Sequence, residues 1–352
     1  MMTNYPIRKI DHPAAWHVDE LGAAERIALN LETRHLDALG AAVRTSKQNA
    51  IPVESLTRAS FPLEPIASDI EKWRHELTQG RGLLLLRGFP VGDYDVDDMG
   101  RMFMGLGAHF GYPVSQNNLG EKLGHVVNVG DKDRRERAYR NSRGLSLHTD
   151  RCDDIGMLCL QKACEGGESG YASALTIHNE ILATRPDLLA PLYAGFKLHR
   201  FGEQPPGEPP ITRLPVPIFS LEKNYFNVVY IRGYIDLAVD EGLYELDETS
   251  RQALDYFDEV ANRADVRFDV MLEPGDGMFT NNCFLLHRRT AFEDCKEPEL
   301  KRHLLRLWLM DDARPAVTAV RNHKNRAGIE KLEQRGTYYS GAGFKDNSSN
   351  SY

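Results

Sequence analysis

The chain has 352 residues, 41% of them hydrophobic and 27% charged, which is close to ordinary globular usage and enough apolar material for a sizeable core. Forty-three Lys and Arg against 51 Asp and Glu leave a net charge of −8, which argues against a surface built to grip phosphate backbones and so against nucleic acid as a partner. No apolar run approaches the roughly 18–20 residues that cross a bilayer, and residues 1–7 lack the pattern of a secretory leader, so no membrane partner and a cytoplasmic location are expected.

The first 60 residues place Leu29, Leu31, Leu36, Leu39, Ala42 and Val43 at helical spacing and predict amphipathic helices. From Gly82 onward β signals take over. Gly82-Leu-Leu-Leu-Leu-Arg-Gly88 is a short apolar run closed by glycine, the profile of a buried strand. Val126–Val129, Met157–Leu160, Val228–Ile231, Val266–Leu272, Met278–Thr280 and Leu304–Met310 read the same way, with a turn at Pro274–Gly277. Helices are predicted at Thr176–Ala183, Pro186–Tyr193 and Glu248–Asn262. The proline-dense stretch from Gln204 to Pro217 cannot be a central strand; it reads as an extended connection or a lid over a pocket. Many short strands without a regular βαβ rhythm predict one mainly β domain, a sandwich or barrel with flanking helices. The five cysteines, Cys152, Cys159, Cys164, Cys283 and Cys295, fit no paired spacing and are expected to be reduced thiols.

His148-Thr-Asp150 sets an imidazole and a carboxylate on one face of an extended segment, and His287 follows much later. Two histidines and one carboxylate on one side of a metal leave the opposite positions open, as in non-haem Fe(II) sites, although the same set also binds zinc. In a chain with 12 histidines the His-x-Asp pattern alone carries little weight. A second clue lies in Arg302–Met310. On a strand Arg302, Leu304, Arg306 and Trp308 share one face, and His303, Leu305, Leu307 and Leu309 the other, which would be core. Two buried guanidinium groups need anions, supplied either by the protein's own carboxylates or by a bound dicarboxylate.

Gly82–Phe89, His148-Thr-Asp150, Gly166-Gly-Glu-Ser169, His287–Asp294 and Arg302-x-Leu-x-Arg306 together resemble, in order, the motifs of the taurine dioxygenase-like (TauD/TfdA) Fe(II)/2-oxoglutarate-dependent oxygenases. The resemblance implies a double-stranded β-helix (jelly-roll) core, with His148, Asp150 and His287 as iron ligands and catalytic centre. It implies that Arg302 and Ser169, which stands where the family often has threonine, bind the distal carboxylate of 2-oxoglutarate. Arg306 would contact either the co-substrate or an anionic group of the substrate. The implied reaction uses O2 and couples oxidative decarboxylation of 2-oxoglutarate to hydroxylation, or a related C–H oxidation, of a small molecule. Gln116, Asn117 and Tyr225 are candidate substrate residues from loop position. The basic run Lys132–Arg143 is a candidate attractor for an anionic substrate; His178 and His303 are expected to be structural. The layout implied is a single oxygenase domain over 1–340, with a helical part (1–80), a jelly-roll (81–310) carrying a 201–219 loop insertion, and a flexible tail (341–352). The resemblance leaves a homo-oligomer open, since relatives are often dimers or tetramers, although no stretch of this sequence marks an interface. A zinc-dependent hydrolase and a catalytically inactive jelly-roll binding protein are the competing readings.

Overall fold

The computed structural model describes residues 8–117, 119–128, 141–204 and 207–331; the tail expected over 341–352 and most of the basic run Lys132–Arg143 lie outside the described residues. In chain order the strands begin with β1 (Ala28–Asn30), β2 (Leu83–Arg87), β3 (Tyr112–Pro113), β4 (Leu123–Val127) and β5 (Leu145–His148). They continue with β6 (Asp154–Gln161), β7 (Glu165–Gly166), β8 (Ser169–Ser173), β9 (Phe219–Glu222) and β10 (Tyr225–Val228). The last five are β11 (Arg267–Val270), β12 (Asp276–Asn281), β13 (Leu285–Arg289), β14 (Phe292–Glu293) and β15 (His303–Met310).

The larger sheet runs β1-β2-β12-β6-β15-β3, with β4 pairing alongside β3 on the same edge of β15. The smaller runs β11-β8-β13-β5 and is antiparallel throughout. Side-chain alternation explains why both faces of the larger sheet are apolar. Leu84 and Leu86 of β2, Leu158 of β6, Phe279 of β12 and Leu305, Leu307 and Leu309 of β15 point to one side. There they pack against the helices Thr33–Gln48, Ala67–Thr78 and Val96–Gly107. Leu83, Leu85, Met278 and Leu304 point to the other side and share a core with Tyr171 and Leu285 of the smaller sheet. Two facing sheets backed by helices make this a mainly β fold with a double-stranded β-helix core. Each leucine buried this way contributes on the order of 2 kcal/mol.

The helix Ala67–Thr78 falls within the helical part expected over 1–80, whereas Val96–Gly107, Arg232–Asp240 and Thr318–Lys324 carry no counterpart in the sequence-based prediction. Val96–Gly107 is hidden by composition, since Gly100, Gly105 and Gly107 lower its helix propensity. Asp95 caps it, its carboxylate accepting the Asp98 N–H at 2.8 Å, and its glycines let it lie close to its neighbours. The proline-dense stretch folds back on the chain before it through bridges Phe196↔Val216 and His199↔Ile211. Residues 205 and 206 are outside the described residues.

The expectation of five reduced thiols is corrected. Cys164 and Cys295 form a disulfide across 131 residues; Cys152, Cys159 and Cys283 are free and buried. The pairing of β7 with β14 sets Gly166 against Phe292 and Glu165 against Glu293, which brings the two flanking cysteines to a Cα separation of 5.2 Å. Sequence spacing carries no trace of a contact made by distant strands. No described helix is long and apolar enough to cross a membrane.

A Cβ added at Gly105 would lie 2.3 Å from the ring of Phe61, a fully buried side chain. Gly105→Ala is therefore expected to cost about 1–3 kcal/mol, read as a lower denaturant midpoint at unchanged slope. An unchanged midpoint would contradict this packing.

Candidate active site

Strand register builds the site. In the pairing of β13 with β5, His287 lies opposite His148, and the two imidazole centroids stand 4.3 Å apart. Asp150 follows on the turn leaving β5, and its carboxylate oxygens sit 3.9 Å from His148 Nε2 and 3.7 Å from His287 Nε2. One ligand atom from each residue falls within 4.8 Å of the others, and no other such group of three or more occurs among the described residues. Side-chain exposures of 21%, 11% and 17% leave the cluster partly accessible to solvent.

Neighbouring groups position each candidate ligand. His148 Nδ1 lies 2.8 Å from the Ser146 carbonyl, an orientation that turns Nε2 toward Asp150. Burial, reinforced by His148, pulls His287 down to about 3, so this imidazole is neutral near pH 7. Burial alone would raise Asp150, but Arg306, His287, His148 and the Trp308 N–H outweigh it and hold the carboxyl at about 2. Trp308 Nε1 donates to Asp150 Oδ2 at 2.8 Å and Arg306 Nη1 at 3.3 Å. Asn282, fully buried, clamps the backbone of the turn. Its Oδ1 accepts the Asp150 N–H at 3.0 Å, and its Nδ2 donates to the carbonyls of Asp150 at 2.8 Å and Cys152 at 2.7 Å.

Beside the triad lies a concentration of buried positive charge. Arg289, Arg302 and Arg306 are 6%, 3% and 5% exposed, and the guanidinium groups of Arg289 and Arg302 lie 4.8 and 4.9 Å from the ring of Phe292. Burial lowers Arg302 to about 10 and, with the other two arginines, lowers Arg289 to about 9. Both stay charged near pH 7. Arg302 Nη1 is buried with no hydrogen-bond partner among the described residues. Ser169 is buried on β8, opposite Arg289 of β13, and its side chain hydrogen-bonds to that of Tyr171; Arg302 approaches the same segment at Gly167, where an added Cβ would lie 3.1 Å from Arg302 Nε. A buried guanidinium nitrogen left open is a costly arrangement that an incoming carboxylate relieves. The donor set of the triad likewise suits a divalent metal with open positions. The residues present therefore fit both Fe(II) and 2-oxoglutarate.

His148, Asp150, His287 and Arg306 come together directly; Arg302 and Ser169 lie in the adjoining arginine cluster. Gln116 sits beside Arg306 and is fully buried. Its Oε1 accepts from Arg306 Nε at 2.6 Å, and its Nε2 donates to the carbonyls of Arg306 and Lys122, both at 3.0 Å. Gly124 stands opposite Arg306 on β4, where a Cβ would come within 2.6 Å of the Gln116 amide. Asn117 organises its own turn, its Oδ1 accepting the N–H groups of Leu119 and Glu121. Tyr225 meets Asn281 through its hydroxyl at 3.4 Å and packs its ring on Phe284. His178 is buried against Tyr193, and His303 pairs with His125 at 2.9 Å.

Sequence reasoning misses Asn282, Arg289, Phe292 and Tyr171. The second asparagine of Asn281-Asn282 stands next to the run that ends at His287, but nothing in the sequence separates a turn former from a clamp. Arg289 was legible as two residues beyond His287, on the same strand face.

Residues 49–308 match the taurine catabolism dioxygenase TauD, TfdA family. FR-33289 synthase of Streptomyces rubellomurinus is 32% identical over 300 residues, covering 83% of this chain and 88% of the relative. Taurine hydroxylase-like protein SAT17 of Stachybotrys chartarum is 25% identical over 317 residues, covering 86% and 80%. Among solved structures, asparagine oxygenase in complex with Fe(II), 2S,3S-3-hydroxyasparagine and succinate shares the fold at a TM-score of 0.63 and 15% identity, covering 81% of this chain and 93% of its own. The non-heme iron oxygenase OrfP in complex with Fe and alpha-ketoglutaric acid does so at 0.58 and 15%, covering 83% and 98%.

Replacing Asn282 by Ala removes three hydrogen bonds to the turn that carries Asp150 and leaves the triad side chains untouched. Fe(II) affinity is expected to fall roughly 10- to 100-fold in anaerobic titration, with the far-UV circular dichroism retained. Unchanged affinity would show that the turn holds its shape without the clamp.

Proposed function

The chain belongs to the taurine catabolism dioxygenase TauD, TfdA family, and from that premise we propose roles for its site residues and a class for its substrate. The protein is a Fe(II)- and 2-oxoglutarate-dependent dioxygenase. When bound, iron and 2-oxoglutarate supply with O2 the power to oxidise a C–H bond, and succinate and carbon dioxide are the co-products.

In this reading His148, Asp150 and His287 hold the iron. Trp308 and Arg306 keep Asp150 anionic and oriented, and Gln116 fixes the guanidinium of Arg306 rather than touching substrate. Arg302, together with Ser169, receives the distal carboxylate of 2-oxoglutarate. The observation that carries the assignment is the buried, unpartnered Nη1 of Arg302 beside a metal-competent triad. A zinc hydrolase gives that group nothing to do, and an inactive binding protein would not need three ligands held in their metal-binding states.

The substrate proposed is a small polar molecule. Asparagine oxygenase and OrfP, which share the fold, are solved with hydroxylated amino acids. Asn117 and Tyr225 remain candidate substrate residues by loop position alone. The net charge of −8 supports a small molecule over a nucleic acid. A cytoplasmic setting fits the three free cysteines, and the Cys164–Cys295 bridge is the feature that speaks against it.

Arg302→Ala tests the co-substrate assignment. Losing a buried charge partner costs about 2–5 kcal/mol, so the KM for 2-oxoglutarate, read by succinate release, is expected to rise roughly thirty- to several-thousand-fold. Fe(II) affinity without co-substrate is expected to stay within about threefold, since Arg302 touches no ligand. A parent-like KM would remove Arg302 from the co-substrate site.

A further inference from the structure

A second cluster of buried polar groups lies behind the triad, where no step of the dioxygenase reaction uses it. Cys283 opens the turn from β12 to β13, next to the clamp residue Asn282, and its thiol is fully buried. Lys324, the last residue of the helix Thr318–Lys324, is 3% exposed. Its Nζ lies 3.0 Å from Cys283 Sγ and 2.9 Å from Asp153 Oδ1. Arg314 completes the cluster, with Nη1 donating to the Asp153 carbonyl at 3.0 Å and Nη2 paired with Asp154.

Lysine seldom buries its amine, and ordinarily carries it out to water. Here two chain segments 41 residues apart in sequence aim an amine and a thiol at one another in a site closed to solvent. No other thiol or amine described in the structure makes such a contact. The separation is one that a single inserted oxygen atom spans with little movement of either side chain. The oxidant is at hand, since the enzyme consumes O2 at a site whose aspartate turn is held by the residue next to Cys283.

We propose that Cys283 and Lys324 are the site of a reversible covalent modification, an Sγ–O–Nζ bridge formed with O2. The S–H bond and one N–H bond of the neutral amine break, and S–O and O–N bonds form. One oxygen atom of O2 enters the bridge and the other leaves as water. The thiol and amine together give up the four electrons that O2 takes, and an amine that starts as the ammonium also releases its extra proton to solvent. Reduction by two equivalents of a dithiol returns the thiol, the amine and one water. The bridge removes the charge of Lys324 from Asp153 and ties the helix Thr318–Lys324 to the corner that carries Asn282. Because the His323 carbonyl of that helix accepts from Arg151 Nε at 2.9 Å, the tether reaches the residue beside Asp150.

Peptide mass spectrometry of the full-length protein, prepared once in air and once anaerobically with dithiothreitol, tests this directly. Trypsin separates residues 268–288, which contain Cys283, from 322–326, which contain Lys324. In the air-exposed sample these two peptides are expected as one cross-linked species, uncleaved at Lys324. It should be heavier than the sum of its parts by one oxygen less two hydrogens, about 14 Da, and dithiothreitol should dissolve it. The Lys324→Arg variant keeps a cation beside Asp153 and is expected to give only separate peptides in air. Separate, unmodified peptides from the air-exposed parent would overturn the proposal. So would a cross-link lacking the added oxygen, or oxidation confined to the sulfur. The readout is independent of turnover, so it stands or falls apart from the assignment of the iron and 2-oxoglutarate residues.

Discussion

The antiparallel register between β5 and β13 sets His287 opposite His148, and a slip of one residue would turn every side chain of β13 to the other face. Leu286 or Arg288 would then face His148 in place of the second imidazole. The pattern of β13 excludes that slip. Leu286 is fully buried on the face away from the barrel interior, and Arg288 pairs there with Asp269 of β11 at 3.1 Å. Arg289, which shares the inner face with His287, is tied to the carbonyl of Asn141 by a 2.8 Å hydrogen bond. Five consecutive pairs with β8 hold the opposite edge. The proposed metal ligands thus inherit their spacing from a sheet whose apolar and charged residues admit one alignment.

Charge placement turns that spacing into a binding site. Arg314 and Arg306 are buried with carboxylates of their own, Asp154 and Asp150, so each is largely compensated within the fold. Arg302, just ahead of β15, is buried with Nη1 open and with no carboxylate ion pair among the described residues. The missing carboxylate sets it apart from the other two guanidinium groups and fits its proposed role of receiving one from a ligand. Keeping such a group costs stability in the empty protein, and a dicarboxylate that pairs with it and chelates the metal recovers that cost only when both ends are in place. Trp308 works at the same junction by donating to Asp150 from the strand that carries Arg306 and begins just after Arg302.

Much of this was legible before the structure. The strand run Leu83–Leu86, the alternation of Arg302–Met310 and the His-x-Asp pair are local signals, and each reflects a period-two backbone. On β15 the alternation sorts as read, with Leu305, Leu307 and Leu309 under the helices and Arg306 and Trp308 at Asp150. What escaped depends on chain segments far apart in sequence. The Cys164–Cys295 disulfide needs the β7–β14 pairing, and the Asn282 clamp needs the β12–β13 corner to meet the turn after β5. Gln116 was legible as a polar loop residue near the site. Its partner was not, because Arg306 lies 190 residues away. The helix Val96–Gly107 was hidden because its three glycines, unfavourable in isolation, serve the close packing of tertiary structure.

The central claim is that His148, Asp150, His287 and Arg302 together form one binding site for iron and 2-oxoglutarate. Anaerobic addition of Fe(II) and then 2-oxoglutarate to the apo-protein tests it most directly, through the weak visible charge-transfer band of an iron-chelated 2-oxo acid. The parent is expected to develop the band with one equivalent of iron, and the His148→Ala variant to show none at any 2-oxoglutarate concentration. A parent that binds Fe(II) yet develops no band would contradict the account.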